Sequence, residues 1–445
     1  MCKACGRSAE YFRLQTWLMS RRRWRFEGEI VKRIAVVGSG ISGLSAAYYL
    51  SRRHEVYVFE RENRLGGHTH TVMVESDHGP IPVDTGFIVH NDRTYPNFCR
   101  LMAELGVETQ PSDMSFAVTG HDGAFEYSSH GLRGFFAQKR NYFSRDHYTL
   151  LREILRFNRE APKVLTNPTK EGMTLSDFLD AGKYSPVFVD RYLIPMAGAV
   201  WSMAPEAMPM FPAVTLIRFM QNHGMLGINT HPKWKVIRGG SHSYLAPLTV
   251  PFRQRINQAA TITSIERSDF GVTLRFQHQP AKQFDEVIFA CHGDQILPLL
   301  AQPTEVEREV LSCFTTSRNE TCLHTDSALL PKRAAARASW NYLLGDSGKV
   351  TMTYHMNRLQ SLRTSEDYCV TLNANGSIHP GRVLRRMVYE HPLYTRTAIR
   401  AQERWADISG KNHTHFCGAY WFYGFHEDGV RSGMRVAEAL GVPCL

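Results

Sequence analysis

Residues 32–60 constrain this chain more than any other stretch: a strand, a glycine turn, a helix, a second strand and an acid follow one another there. Ile34-Ala35-Val36-Val37 is an apolar run of strand length. It leads into Gly38-Ser39-Gly40-Ile41-Ser42-Gly43 and a helical pattern through Leu44, Ala47, Tyr48 and Leu50. Val56-Tyr57-Val58-Phe59 reads as the second strand, and Glu60 closes it.

Each part has a physical task. Gly38 permits a tight turn, Gly40 lets backbone approach a pyrophosphate, and Gly43 lets the helix pack closely on the strand. The N–H groups at the helix start, around Ile41 and Ser42, and the positive end of its dipole hold the phosphates. Glu60 lies 22 residues after Gly38 and accepts both ribose hydroxyls. A carboxylate there disfavours a 2′-phosphate, so NADP is not the expected occupant.

Three further stretches choose FAD over NAD. Arg61-Glu62-Asn63-Arg64-Leu65-Gly66-Gly67 sets arginines and a glycine pair directly after the second strand, along the path of a longer cofactor. Val83-Asp84-Thr85-Gly86 is a short turn in which Thr85 and Gly86 allow close backbone approach beside an isoalloxazine ring. Far downstream, Phe416-Cys417-Gly418-Ala419-Tyr420-Trp421-Phe422-Tyr423-Gly424-Phe425-His426-Glu427-Asp428-Gly429 runs into a helix with Val430, Met434 and Ala437 on one face. Gly418, Glu427, Gly429 and Val430 are thereby expected at the ribityl chain and flavin carbonyls. Taken alone, the aromatic part of this stretch would read as a buried strand.

The chain has 445 residues, 43% apolar and 21% charged, which is ample for a core and excludes a disordered or collagen-like protein. No stretch approaches the 18 apolar residues of a membrane span. Nine scattered cysteines, an odd number, suit a reducing, cytoplasmic setting better than a disulfide framework. The net charge of +10 is uneven: residues 1–33 hold nine Lys/Arg against three Glu, leaving 43 Lys/Arg against 39 Asp/Glu in the other 412 residues. The nearly balanced body gives no support for nucleic-acid binding. Residues 1–30 read as a basic, disordered leader without the apolar core of a secretory signal. Peripheral contact with anionic lipid at an inner membrane surface is one expectation for it. Met19 is an alternative start, and the Cys2-x-x-Cys5 pair has no partner pair at zinc spacing.

These motifs resemble the flavin-containing amine oxidoreductase superfamily, which includes monoamine and polyamine oxidases, protoporphyrinogen oxidase and phytoene desaturases. The chain looks closer still to FAD oxidoreductases related to the N-terminal half of plant-type cyclopropane-fatty-acid synthases. The segments carrying that likeness are Val83–Asn91, Ala199-Val200-Trp201-Ser202, Gly239-Gly240-Ser241, Leu323–Asp326, Ser339–Tyr342, Met356–Gln360 and His391-Pro392. The resemblance implies an α/β chain: a Rossmann-type FAD-binding domain with a three-layer ββα sandwich, interleaved with an α+β substrate domain. Residues 31–90, 231–295 and 406–445 would build the first, and residues 91–230 and 296–405 the second. Ile262–Glu266 and Val272–Phe276 read as a hairpin, Phe284–Ala290 as a strand returning to the first sheet, and Tyr148–Asn158 and Ser176–Ala181 as helices of the insertion.

The resemblance also implies that Ile262 meets the adenine side through its backbone. His68, where many members carry arginine, is implied near the flavin. Trp421, Tyr423, Trp201 and Trp340 are candidates for an aromatic substrate wall. His90, His292, His355 and Lys349 are candidates for proton transfer or for a water at flavin N5, and none is singled out as the base. No metal is expected, since His68 and His70 lack a third ligand. The expected reaction takes a hydride from a substrate C–H bond to FAD, on an apolar or fatty-acyl substrate. An amine oxidase or carotenoid-type desaturase is the alternative, and a non-catalytic flavin-bound partner of a lipid-modifying enzyme is a third.

Overall fold

A computed structural model describes residues 25–26, 29–120, 123–167, 172–201, 205–227, 232–344, 351–374 and 376–444. The basic leader with Cys2, Cys5 and Met19, together with Ser202 and Lys349, lies outside the described residues.

Five parallel strands form the first sheet, in the order Ile256–Asn257, Glu55–Phe59, Arg33–Val37, Glu286–Phe289 and Thr414–Phe416. Ile34–Val36 and Val287–Phe289 are completely buried, because a parallel sheet is covered on both faces and wants continuous apolar runs. Tyr57 and Phe59 turn to one face and meet Phe276 and Phe284 of a three-stranded antiparallel sheet (Ile262–Ser268, Gly271–Phe276, Lys282–Phe284). Val56 and Val58 turn to the other face, where the helices Ile41–Leu50 and His426–Ala439 pack on each other. This is the three-layer sandwich expected, with the Ile262–Phe276 hairpin and the returning strand both in place.

A seven-stranded, mostly antiparallel sheet forms the second unit. Its order is Glu126–Ser128, Phe116–Thr119, Trp340–Leu343, Thr351–His355, Cys369–Leu372, Thr316–His324 and Val383–Pro392. A helical insertion covers it, including Arg145–Glu160, Leu175–Gly182, Ile194–Trp201 and Ala213–Asn222. Phe116, Val118, Tyr342 and Met352 of the sheet share a core with Phe157, Phe188 and Leu216 of the helices. Local chemistry sets the helix starts: Ser144 accepts from the His147 N–H, and Thr174 and Asp177 form a reciprocal capping box.

Packing links segments that the sequence reading assigned to different domains. Tyr95, Phe98, Leu101 and Met102, in the segment assigned to the substrate domain, pack in the core of the first unit. So do Leu300, Val310, Leu311, Phe314, Ala398 and Ala401. A small ladder of Val89–Asn91, Trp234–Ile237 and Thr109–Pro111 crosses the expected junction at residue 91.

Candidate active site

At the glycine turn, three glycines are required for three different reasons. Gly38 donates its N–H to Phe59 O at 2.8 Å and has φ +109°, and a Cβ on it would come within 2.8 Å of the Ala290 carbonyl. A Cβ on Gly43 would sit 2.2 Å from Gly38 O. Gly40 differs: a Cβ there would meet nothing within 4 Å and would project into open space. Bare backbone therefore faces a cavity at the start of the helix Ile41–Leu50, whose first turn carries neither a capping side chain nor an acid. Its N–H groups are available to an anion. The glycine pair Gly66-Gly67 lies against this turn, with Gly66 N donating to Ser39 O at 3.0 Å.

Glu60 and Ile262 line the same end of the cavity. Glu60 Oε2 accepts from Ser39 N (3.0 Å) and Ser39 Oγ (2.6 Å), and Oε1 accepts from Glu62 N (2.9 Å). These bonds fix the carboxylate beside the glycine turn. Bare backbone at a helix N-terminus, with a fixed carboxylate next to it, fits the ADP half of FAD.

Farther along, the turn at Thr85-Gly86 lies against His68-Thr69-His70. Phe87 N donates to His68 O at 2.8 Å, and a Cβ on Gly86 would fall 2.1 Å from that same oxygen. Thr85 Oγ1 donates to His70 O at 3.0 Å and meets the Tyr389 hydroxyl at 2.7 Å. Asp84 points the other way, accepting from Ser241 N, Ser241 Oγ, Thr71 Oγ1 and Gln360 Nε2. Burial raises its pKa to about 6. It ties the Gly240-Ser241 turn and Gln360 to the site.

His68 stands among rings: His292 at 5.8 Å, His391 at 5.4 Å and Tyr389 at 5.2 Å. Burial, and then the neighbouring histidines, push its pKa well below the usual imidazole range. Burial also lowers His292, and lowers His391 to about 4. Together these rings form a buried wall of imidazoles and a phenol along the cavity. Despite this clustering, no set of three His, Cys, Asp or Glu among the described residues can hold a metal ion.

The cavity has a volume of about 1540 Å³, larger than the roughly 300–1,000 Å³ of ordinary ligand pockets. It continues past the histidines into the helical insertion, where Phe135, Leu151, Ile154, Met196, Trp201 and Trp340 line it. No charged side chain lines that arm among the described residues. Exposed Arg318, Arg385 and Arg386 also line the cavity.

Residues 41–441 match the flavin containing amine oxidoreductase family. The chain belongs to that family. It is an FAD-dependent oxidoreductase, and FAD is its cofactor. Over 43 residues it is 58% identical to protoporphyrinogen oxidase 2 of Arabidopsis thaliana, a match spanning 9% of this chain and 8% of that relative. Cyclohexylamine oxidase from Brevibacterium oxydans IH-35A shares the fold at 15% identity, with a TM-score of 0.65 over 92% of this chain and 98% of that one. A CLA-producing fatty acid isomerase from P. acnes does so at 15% identity, with a TM-score of 0.62 and the same coverage.

Within this flavoenzyme, the structure brings together at the cavity most of the residues read from sequence: Gly38, Gly40, Ile41, Ser42, Glu60, Arg61, Arg64, Gly66, Gly67, His68, Thr85, Gly86, Ile262 and Gly418. Of the wall candidates, Tyr423, Trp201 and Trp340 line it, and of the proton-transfer candidates, His292.

Others stand elsewhere. Gly43 lies behind the turn, in its packing role. Glu427 does not line the cavity. Oε1 accepts from Asn97 N and Nδ2, and Oε2 from Phe98 N, so Glu427 caps the helix Pro96–Glu104. Gly429 is a packing glycine, since a Cβ there would come within 2.5 Å of Ile41 Cγ2. Val430 is fully buried in the core, and so is Trp421, 1% exposed against Phe314 and Tyr420. His90 is buried on Phe98, and His355 bonds Asp367 at 3.0 Å, both away from the cavity wall.

The sequence reading missed His391, Tyr389 and the three arginines as site residues. His391-Pro392 was visible as a motif, but nothing local showed that Asn319 Nδ2 holds the His391 ring at 3.1 Å facing His68.

Proposed function

We propose that this flavoenzyme oxidises a C–H bond of an apolar, lipid-like substrate. The observation carrying the reading is the arm inside the helical insertion, where aromatic and aliphatic side chains predominate, Asn158 and His223 are polar, and no Asp, Glu, Lys or Arg lines it among the described residues. An alkyl chain gains about 25 cal/mol per Å² of apolar surface buried there. Within that arm an ammonium would find no carboxylate among the described residues, and an unpaired buried charge is costly. A CLA-producing fatty acid isomerase among the proteins that share the fold is in keeping with the same substrate class.

The chain's own groups divide the work. Bare backbone at Gly40 and the helix start bind the cofactor's phosphates, and Glu60 orients its ribose. FAD, when bound, supplies a two-electron acceptor for hydride. Trp201, Trp340 and Tyr423 hold the substrate chain and exclude water. His68 and His391 keep the surroundings of the reacting carbon uncharged. His292, which lines the cavity with Nδ1 3.8 Å from Glu390 Oε2, is the proposed proton acceptor.

The test is anaerobic mixing of the FAD-loaded protein with fatty acids, acyl esters and amines while the visible flavin band is followed. Bleaching by acyl compounds and not by amines is the expected result. Bleaching by amines alone would replace this reading with the amine-oxidase one. No bleaching by any class would point to a non-catalytic flavin-bound partner of another enzyme.

A further inference from the structure

We infer that the outer face of residues 131–163, in the helical insertion, docks on an anionic lipid bilayer. This face belongs to the folded body and is separate from the basic leader. The inference rests on the lipid-like reading only for what the bilayer supplies, namely the substrate of the arm behind it.

Charge singles out the segment. Residues 131–163 hold eight Lys/Arg against three acids, and the rest of residues 34–445 holds 35 Lys/Arg against 36 Asp/Glu. The positive excess of the body therefore lies in this one segment. All three of its acids are engaged: Asp146 pairs with Arg191 at 3.1 Å, Glu160 pairs with Arg156 at 2.9 Å, and Glu153 accepts from Ser185 N and Oγ. Arg133, Lys139, Arg145 and Arg152 are exposed, and among the described residues none of them takes part in an ion pair.

Apolar side chains stand out among these cations. Phe143, at the tip between the short helix Lys139–Phe143 and the helix Arg145–Glu160, is 90% exposed, and Leu132 is 70% exposed. The patch is connected. Phe136 follows Leu132 by one turn, with its N–H donating to Leu132 O at 2.9 Å. The Phe136 ring lies 4.7 Å from that of Tyr142 and 5.7 Å from that of Tyr148, whose hydroxyl donates to Tyr142 O at 3.2 Å. Tyr148 then opens an exposed stripe of Tyr148, Arg152, Leu155 and Arg159, at i, i+4, i+7 and i+11 of its helix. Single exposed apolar residues are ordinary, whereas a connected patch interleaved with unpaired cations marks a docking surface. Aromatic and aliphatic groups suit the acyl boundary of a bilayer, and Lys and Arg suit its anionic phosphates. The leader carries the same sign of charge and is no electrostatic match for this face. Leu151 and Ile154, on the next stripe round the same helix, line the arm. A bilayer docked here lies against the wall of the arm that takes the apolar substrate.

The experiment sediments the FAD-loaded full-length protein with phosphatidylcholine vesicles and with vesicles that also contain phosphatidylglycerol. Wild type should bind the anionic vesicles at least about 10-fold tighter, weakening as salt is raised. Arg145→Gln/Arg152→Gln should weaken that binding about 25-fold, at about 5-fold per cation near an anionic surface. Leu132→Ser/Phe143→Ser should weaken it by at least about 10-fold, and both variants should keep the wild-type flavin spectrum and unfolding midpoint. Wild-type vesicle binding by both variants would assign the binding to the leader and overturn the inference. Equal binding of the two vesicle types by wild type would also overturn it. So would a dimer that Leu132→Ser/Phe143→Ser disperses with vesicle binding unchanged, which would give the face to a second copy of the chain. Flavin bleaching by octanoate in vesicle-free buffer separates the two readings. Bleaching without docking leaves the lipid-like reading intact, and docking without bleaching by any acyl compound overturns that reading and leaves the docking face standing.

Discussion

Two substitutions in the glycine turn separate a glycine needed for folding from one needed for the cofactor. At Gly43 a Cβ would lie 2.2 Å from Gly38 O and 2.9 Å from Ala290 Cβ, under the 3.0 Å closest approach. The carbonyl cannot retreat freely, because Gly38 N is bonded to Phe59 O at 2.8 Å. Overpacking of this kind costs about 1–3 kcal/mol. Alanine's better helix propensity returns at most ~1 kcal/mol. Gly43→Ala should therefore lose roughly 1–2 kcal/mol in urea unfolding, with a clear drop in the midpoint.

Gly40→Ala should behave oppositely. Its φ of −65° and ψ of 174° are open to alanine, and the added Cβ touches nothing within 4 Å. The reduced entropy of the unfolded chain favours the variant by about 0.4–1 kcal/mol, and losing glycine at the helix cap costs a similar amount. Apoprotein stability should stay within ~0.5 kcal/mol of wild type. The methyl group, however, occupies the place where a pyrophosphate meets bare backbone. FAD affinity, measured by flavin fluorescence quenching, should fall by about 100-fold, or ~2.8 kcal/mol. Wild-type FAD affinity in Gly40→Ala would refute the placement of the phosphates at this helix start. Wild-type stability in Gly43→Ala would refute the packing argument.

Three other outcomes are expected. Glu427→Gln keeps the shape of the side chain but loses the charge that accepts from Asn97 and Phe98, and should cost about 1–2 kcal/mol in denaturant melts while FAD affinity changes less than twofold. Trp421→Ala should cost about 3–5 kcal/mol, as expected for a buried indole, whereas Tyr423→Phe at the cavity should leave stability within ~0.5 kcal/mol; equal losses would return Trp421 to the wall. Burial lowers His70, His90, His223, His324 and His391 to about 4 and His426 to about 3, so the unfolded chain binds more protons than the folded one below 6.5. Stability should fall as pH drops from about 6.5 towards 4, opposed by Asp84 and Asp428, whose raised values of about 6 and about 7 favour the folded form on acidification; a thermal midpoint that rises over this range would refute the sign.

What was legible in the sequence was what short-range physics fixes. The stretch 32–60 needs only local spacing to show a strand, a turn that only glycine can make, and a helix start. The Ile262–Phe276 hairpin is equally local, as its turn and alternation lie within one stretch of chain. Long-range captures were not legible. Glu427 sits at a helix start next to a glycine-rich approach, so its sequence context reads as a ligand anchor. Its actual partners, Asn97 and Phe98, lie 330 and 329 residues earlier and begin another helix.

The same limit explains the arginines. Arg385-Arg386 on a strand shows that one side chain goes to each face, but not that the strand forms a sheet edge beside a cavity. Helix packing is an intermediate case. Gly429 and Gly433 are four apart, and a Cβ on either would collide with Ile41, Ser42 or Ser45 of the glycine-turn helix. Read locally, the pair marks one narrow helix face. That face is needed because two helices must approach closely where the first begins at the cavity. The return helix therefore serves the site through its packing: by fitting against Ile41–Leu50 it holds the bare helix start in place. On this reasoning Gly429→Ala should lower stability and FAD affinity together, as Gly40→Ala should not.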